Sequence, residues 1–216
     1  MNNILEINNI SKTYYTWKNE VEAIKNFSLS IKDNDFIAIV GPSGCGKSTL
    51  LSILNKQEEP TSGTINYNNK SIGYMLQEDC LLDWLNILEN CFLGLKIQNN
   101  LNNENKEYVL KLLNKYGLKD FIYQYPKALS GGMRQRVALI RTLALKPDIL
   151  LMDEPFSALD PQTRIKISND VYKILKQEKK TLIIVTHSID EAILLCNRII
   201  VLSKRPSVIK KEYQQR

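Results

Sequence analysis

The segment Gly41-Pro42-Ser43-Gly44-Cys45-Gly46-Lys47-Ser48-Thr49 follows directly on the apolar run Phe36-Ile37-Ala38-Ile39-Val40. A turn of the form G-x-x-x-x-G-K-S, set between a strand and a helix, is a phosphate cradle. Its backbone N–H groups face the phosphates, and the helix that follows adds its positive end. Lys47 is then expected to reach the β- and γ-phosphates, and Ser48 to place its hydroxyl on Mg²⁺. An uninterrupted apolar strand is one buried on both faces, so the motif draws the chain toward a parallel sheet covered by helices.

The rest of the chain fits that frame. Short alternating runs at Ile4 to Ile7, Val21 to Ile24 and Phe27 to Ile31 read as antiparallel strands joined by polar turns. A helix is expected from Lys47 to Leu54, then strands at Thr64 to Tyr67 and Ile72 to Met75, with Asn68-Asn69 as the turn between them. From Gln77 to Leu145 the pattern is mostly helical: Tyr108 to Tyr116 stopped by Gly117, and Met133 to Leu145. Strands at Ile149 to Met152, Leu182 to Thr186 and Ile199 to Leu202, the last of the chain, alternate with helices at Thr163 to Glu178 and Ile189 to Cys196. The expected fold is α/β: a P-loop NTPase core with a mainly parallel sheet, an N-terminal antiparallel β subdomain, and a helical subdomain inserted at about 77–145. A length of 216 residues suits one domain.

Composition narrows the setting. No apolar run approaches the roughly 18 residues that span a bilayer. Met1 to Glu6 lacks the basic region and long apolar core of a signal peptide. The net charge of +6 is modest and spread out, apart from the tail Lys204, Arg205, Lys210, Lys211 and Arg216, so nucleic acid is not an expected partner. Cys45, Cys80, Cys91 and Cys196 have no paired spacing and read as reduced thiols. The Asn-rich stretch 98–105 reads as coding bias and a solvated loop.

Three further elements carry chemistry. Ile149-Leu150-Leu151-Met152 runs into Asp153-Glu154, placing two carboxylates at the C-terminal end of a buried strand, where open α/β sheets bind ligands. Asp153 is the expected holder of Mg²⁺, and Glu154 the base for an attacking water. In Leu129-Ser130-Gly131-Gly132-Met133-Arg134-Gln135-Arg136, Ser130 can cap the next helix, and the glycine pair bares its N-terminal amides as a second anion site. One nucleotide per chain does not need two such sites, which points to a nucleotide held by another copy. The only histidine, His187, ends the run Ile-Ile-Val-Thr. In this order, the elements read as a device that closes around a nucleoside triphosphate and hydrolyses it.

Together these motifs resemble the ATP-binding-cassette (ABC) ATPases over essentially the whole chain. The order is P-loop, Gln77 in Tyr-Met-Leu-Gln, Leu-Ser-Gly-Gly-x-x-Gln, the Asp153-Glu154 strand, Ser-Ala-Leu-Asp (157–160) and the histidine. The resemblance implies two such chains facing head to tail with two ATP molecules and Mg²⁺ between them. It implies that Ser130, Gly131, Gly132 and Gln135 meet the ATP of the partner chain, and that Asp160 crosses the dimer interface. It implies that Gln77 senses Mg²⁺ and water, and that His187 bonds the γ-phosphate. Tyr14 matches the aromatic that stacks on adenine; Tyr15 and Trp17 are alternatives.

Gln77 to Leu85, Ile87 to Asn90 and Leu202 to Pro206 further resemble the nitrate, sulfonate and taurine importer ATPases, though Ser207 stands where Gly is expected and Asp83 where Pro is common. This implies an importer subunit docked on a separate integral membrane permease, served indirectly by a solute-binding protein, at the cytoplasmic face of the membrane. Leu81, Leu82, Trp84 and Leu85 are candidates for a groove that takes a helix of the permease; a core-facing segment is the alternative. The chain ends at Arg216, so no C-terminal regulatory domain is expected. A non-transport ABC ATPase acting on DNA or the ribosome is the competing class. The gap of about 80 residues between P-loop and signature holds no sustained heptads of the kind chromosome ATPases carry there. The transported molecule is not encoded in these motifs.

Overall fold

The computed structural model describes residues 3–15, 17, 19–157 and 159–214. Two strands open the chain, β1 (Asn3–Tyr15) and β2 (Glu20–Lys32), paired antiparallel. The three short runs expected up to residue 31 are thus two long strands, continued through irregular positions where Asn9 and Asn26 take positive φ. Six of the eleven non-glycine residues with positive φ among the described residues are asparagines, the type that adopts this conformation at low cost. The asparagine load therefore has structural uses beyond coding bias.

After β3 (Phe36–Val40) come α1 (Lys47–Leu54), β4 (Ser62–Asn66) and β5 (Ile72–Met75). The turn at Asn68-Asn69 does not pair β4 with β5. It moves the chain between sheets: β4 joins β1 in a three-stranded sheet, and β5 becomes an edge of the second sheet. Helices α2 (Ile87–Ile97), α3 (Asn103–Lys115) and α4 (Gly131–Leu143) follow, then β6 (Ile149–Asp153), α5 (Pro161–Gln177), β7 (Thr181–Val185), α6 (Ile189–Leu195) and β8 (Arg198–Leu202). The Asn-rich stretch is only partly a loop. Asn102 Oδ1 accepts from Asn105 N at 2.8 Å and caps α3, and buried Asn105 donates to Asn100 O.

The second sheet has the order β5-β6-β7-β3-β8-β9, parallel except at its last pair. Strand β9 (Ile209–Gln214), antiparallel to β8, corrects the expectation that the strand at Ile199 to Leu202 is the last. Its side chains are nearly all exposed and include Lys210, Lys211 and Glu212, so it shows little apolar pattern. Such charge is how edge strands resist pairing with other chains.

The alternation along each parallel strand builds two cores. Ile37, Ile39, Ile149, Leu151, Ile183 and Val185 point to one face, against α1 and the antiparallel sheet. Phe36, Ala38, Leu150, Met152, Leu182 and Ile184 point to the other, against α2 to α6. The strands β3, β7 and β6 lie side by side, so the segments leaving their C-terminal ends are neighbours.

Candidate functional site

The loop leaving β3 turns through Gly44 (φ +72°) and Gly46 (φ +115°) into α1. Gly46 has no room for a side chain: a Cβ there would sit 3.0 Å from the Ala23 carbonyl, in a backbone region that L-residues rarely adopt. Ser43 and Gly44 are exposed at the tip, with Pro42 beside them, and Cys45 is buried beneath. Lys47 is buried, and its Nζ donates to the carbonyls of Gly41 (2.9 Å) and Pro42 (3.1 Å). The lysine thus closes the loop on itself, an arrangement in which its charge lies inside the turn. Arg205 Nη2 donates to Gly44 O at 2.7 Å and holds the tip from outside. Thr49 reaches Tyr14, whose hydroxyl donates to Glu58 Oε2 at 2.7 Å. Of the three adenine candidates, Tyr14 is the one tied to α1, while Tyr15 and Trp17 stand exposed. Burial pushes the Tyr14 hydroxyl pKa up, and Glu58 adds to the rise.

Asp153 ends β6, with the Ser48 and Tyr74 hydroxyls near enough to act on its pKa. Burial raises its pKa above the ordinary carboxylate value, and the Glu154 charge adds to this; the Ser48 hydroxyl and Lys47 pull against it. The Tyr74 phenol is pushed up to about 12, by burial first and then by the Asp153 charge. Sequence reasoning passed over Tyr74, whose position within an apolar strand gives no sign of its hydroxyl partner. A hydroxyl and a carboxylate side by side suit a hard divalent cation that keeps its other ligands as water or phosphate oxygens. No cluster of three or more His, Cys, Asp or Glu among the described residues offers a cage of its own.

Glu154 takes φ +42°, an unusual conformation for a residue other than Gly or Asn, held by its N–H donating to Val185 O at 2.9 Å. Its side chain reaches the segment after β7, where Glu154 Oε2 lies 3.0 Å from His187 Nδ1. An ionised carboxylate only accepts, so in this contact the imidazole carries the proton on Nδ1.

Ser130 caps α4, its Oγ accepting from Met133 N at 3.3 Å. The helix begins at Gly131, so both glycines lie in its first turn. Gly132 is needed for close packing: a Cβ there would meet Ile167 Cδ1 of α5 at 2.8 Å. Gly131 is the more open of the pair, with Leu159 3.4 Å from where its Cβ would be. Gln135 is buried, and its Oε1 has no hydrogen-bond partner. A cleft of about 850 Å³ brings Gly131 and Gln135 together with Glu154, His187 and Gln77. None of residues 41–49 lines it. The α4 end is therefore separated from the phosphate loop of its own chain.

Gln77 Nε2 donates to Ser157 Oγ at 3.2 Å, joining the segment after β5 to that after β6. Asp160 caps α5, accepting from Thr163 N at 3.1 Å, and these bonds to Thr163 lower its pKa. Ala158, within the Ser-Ala-Leu-Asp motif, lies outside the described residues.

Comparison with known proteins gives the family of the fold. A sequence model of the ABC transporter family matches residues 24–157. The chain is 46% identical over 212 residues to YtlC of Bacillus subtilis strain 168, an uncharacterized ABC transporter ATP-binding protein, covering 95% of this chain and 82% of that one. It is 41% identical over 218 residues to the taurine import ATP-binding protein TauB of Ruegeria pomeroyi, covering 97% and 81%. Among solved structures, the dimeric post-hydrolysis state of the ATP-binding cassette MJ0796, bound to ADP and Pi, superposes with a TM-score of 0.82 at 34% identity, covering 98% of this chain and 99% of that one. The phosphate loop, the paired acids and the histidine thus sit in a fold shared with ATP-binding cassettes, and this chain belongs to the ABC transporter family as one of its ATP-binding, ATP-hydrolysing members.

Proposed function

We propose that this chain is the energy-coupling subunit of an importer, working as a head-to-tail pair that closes on two ATP molecules. The observation that carries this reading is the separation within one chain. The phosphate loop and Asp153 gather at the ends of adjacent strands, while Gly131 at the start of α4 lines a cleft, shared with Glu154 and His187, that residues 41–49 do not enter. A second copy, turned end for end, brings its Ser130, Gly131 and Gly132 onto the exposed side of that loop. Mg²⁺, arriving with ATP, supplies charge neutralisation between the phosphates. Lys47 then exchanges the carbonyls of Gly41 and Pro42 for phosphate oxygens. Ser48 and Asp153 would hold the ion, Glu154 takes a proton from water as the water oxygen bonds to the γ-phosphorus and the bond to the ADP oxygen breaks, releasing ADP and phosphate, and Gln77 and His187 orient the γ-phosphate side of the site. Tyr14 packs on adenine. Catalysis of this kind rests on position and preorganised charge.

The partner in the membrane is a separate permease. No helix among the described residues is long and apolar enough to cross a membrane; likeness to import ATP-binding proteins supports docking at the cytoplasmic face. Trp84, about 72% exposed beside the partly buried Leu81, Leu82 and Leu85, marks the docking groove. The helical segment 77–145, inserted between β5 and β6, carries this groove and the α4 end together. Likeness to TauB points to a small sulfonate or similar anion as the cargo, delivered by a solute-binding protein. Of the two departures from that subfamily, Asp83 pairs with Lys127 at 3.6 Å, whereas Ser207 needs no positive φ but buries an Oγ that has no hydrogen-bond partner among the described residues.

The test is purification of tagged Glu154→Gln protein with Mg-ATP from detergent-solubilised native cells, with mass spectrometry of what accompanies it. A polytopic membrane protein is expected. Ribosomal or DNA-associated proteins, with no permease, would overturn the transport reading and leave the ATPase chemistry standing.

A further inference from the structure

Arg164 and Glu191 stand outside every motif read from the sequence, yet they join the two loops that flank the reacting end of the site. Glu191 lies in the first turn of α6 and is 6% exposed. A carboxylate so placed needs donors. Thr186 supplies one, its Oγ1 donating to Glu191 Oε2 at 2.6 Å. Thr186 itself is buried and directly precedes His187, and its backbone N–H donates to Ile39 O of β3. Among the described residues, Arg164 is the only cation in salt-bridge contact with Glu191, with Nε 3.7 Å from Oε1.

Arg164 reaches the other way with the same guanidinium. Its Nη2 donates to the carbonyls of Ser157 (3.2 Å) and Leu159 (3.1 Å), and its backbone N–H donates to Asp160 O (2.8 Å). The loop 157–160 is thus held by one side chain at two points before Asp160. Ser157 extends the line, because its Oγ accepts from Gln77. A continuous path therefore runs from β3 through Thr186, Glu191 and Arg164 to the Asp160 loop and Gln77. The path has one slack joint. Arg164 Nε is buried without a hydrogen-bond partner, and 3.7 Å is too long for a hydrogen bond to Glu191. A small approach of α6 to α5 would satisfy that donor.

We propose that Arg164 and Glu191 act as one positioning unit that sets the Asp160 loop and the His187 loop in a common register, with their loose contact tightening when the site closes on ATP. Neither touches the nucleotide. The proposal rests on the assignment of Glu154 and His187 to hydrolysis, and Glu154→Gln, run in parallel, tests that assignment separately.

The experiment compares Arg164→Ala, Glu191→Gln, the double variant and Arg164→Lys for steady-state ATP turnover and for binding of a fluorescent N-methylanthraniloyl ATP. If the two residues are one unit, each single variant loses at least about tenfold in kcat with ATP affinity within about twofold, and the double variant is no worse than Arg164→Ala alone. Lysine keeps the charge and loses the fork that spans two carbonyls and a carboxylate, so Arg164→Lys is expected to fall with Arg164→Ala. Where Arg164→Ala does not fold, Arg164→Lys replaces it in the cycle. Losses that multiply in the double variant, affinity that falls in step with kcat, or wild-type turnover in Arg164→Lys would overturn the proposal. Full turnover in Glu154→Gln would remove the catalytic assignment and leave the coupling between Arg164 and Glu191 to be judged by its own cycle.

Discussion

Glu154 and His187, 33 residues apart in sequence, are joined by a 3.0 Å hydrogen bond between Oε2 and Nδ1. The contact ties one of the two carboxylate oxygens of Glu154 to the imidazole. Engagement of a γ-phosphate by His187 would draw the ring away and free Glu154. Substitution of either residue should therefore separate binding from chemistry. Glu154→Gln is expected to bind ATP normally and to lose hydrolysis by about 100-fold or more. His187→Ala should show the same split. Single-turnover rates beside equilibrium binding check both, and a Glu154→Gln rate above about a tenth of wild type would exclude Glu154 as the base.

Lys47 places its ammonium inside the loop through the carbonyls of Gly41 and Pro42. Lys47→Ala removes the tie together with the proposed phosphate partner, so the defect should appear at binding itself. Calorimetric titration with Mg-ATP is expected to show affinity weakened by about tenfold or more. Unchanged affinity would count against the cradle.

Ser130 lies at the start of α4, the end assigned to the nucleotide of a second copy. Ser130→Arg fills that end with a long side chain and leaves the phosphate loop of its own chain untouched. In a Glu154→Gln background, the variant should bind ATP with wild-type affinity and stay monomeric by sedimentation where the parent dimerises. A dimer that still forms with ATP would sink the trans arrangement.

Asp153 has a folded-state pKa raised above its ordinary value, chiefly by burial. Its ionised form therefore weakens the nucleotide-free fold. The penalty is present above the folded pKa and disappears as pH falls through it. Asp153→Asn should melt higher than wild type at about pH 7.5, by roughly 1–3 °C, with the gain shrinking toward about pH 4. The same variant should lose the Mg²⁺-dependence of ATP binding. Melting curves at the two pH values decide the first point, and binding with and without the ion the second.

Gly132 leaves room for Ile167 at the crossing of α4 and α5. Gly132→Val inserts three carbons where one already collides, and is expected to destabilise the fold by about 1–3 kcal/mol. Urea denaturation is the measure. A neutral change would show that Ile167 moves aside freely.

Much of this site was legible because its chemistry follows strand ends. The phosphate loop, the Asp153-Glu154 pair and His187 each follow an apolar run, and strands β3 and β5 and helix α1 lie where periodicity put them. What stayed hidden depended on long-range pairing. β9 lacks an apolar stripe because it is an edge, and the split of β4 and β5 between sheets follows from the partners each finds, which no local pattern reveals. Arg164 and Glu191 belong to no sequence motif, and only the packing of α5 and α6 brings them to 3.7 Å from each other. The φ of Glu154 was equally out of reach, since glutamate is a poor signal for a left-handed residue.

The strand that feeds the phosphate loop, β3, sits between β7 and β8, with β5 and β9 at the two rims of the sheet. Backbone amides there are expected to exchange with solvent only when large units of the protein open, and those of the rims through local fraying. The strand under the phosphate loop is therefore expected to outlast the rims when heat or denaturant peels the outer strands, while the exposed tip of the loop at residues 42–44 opens earlier.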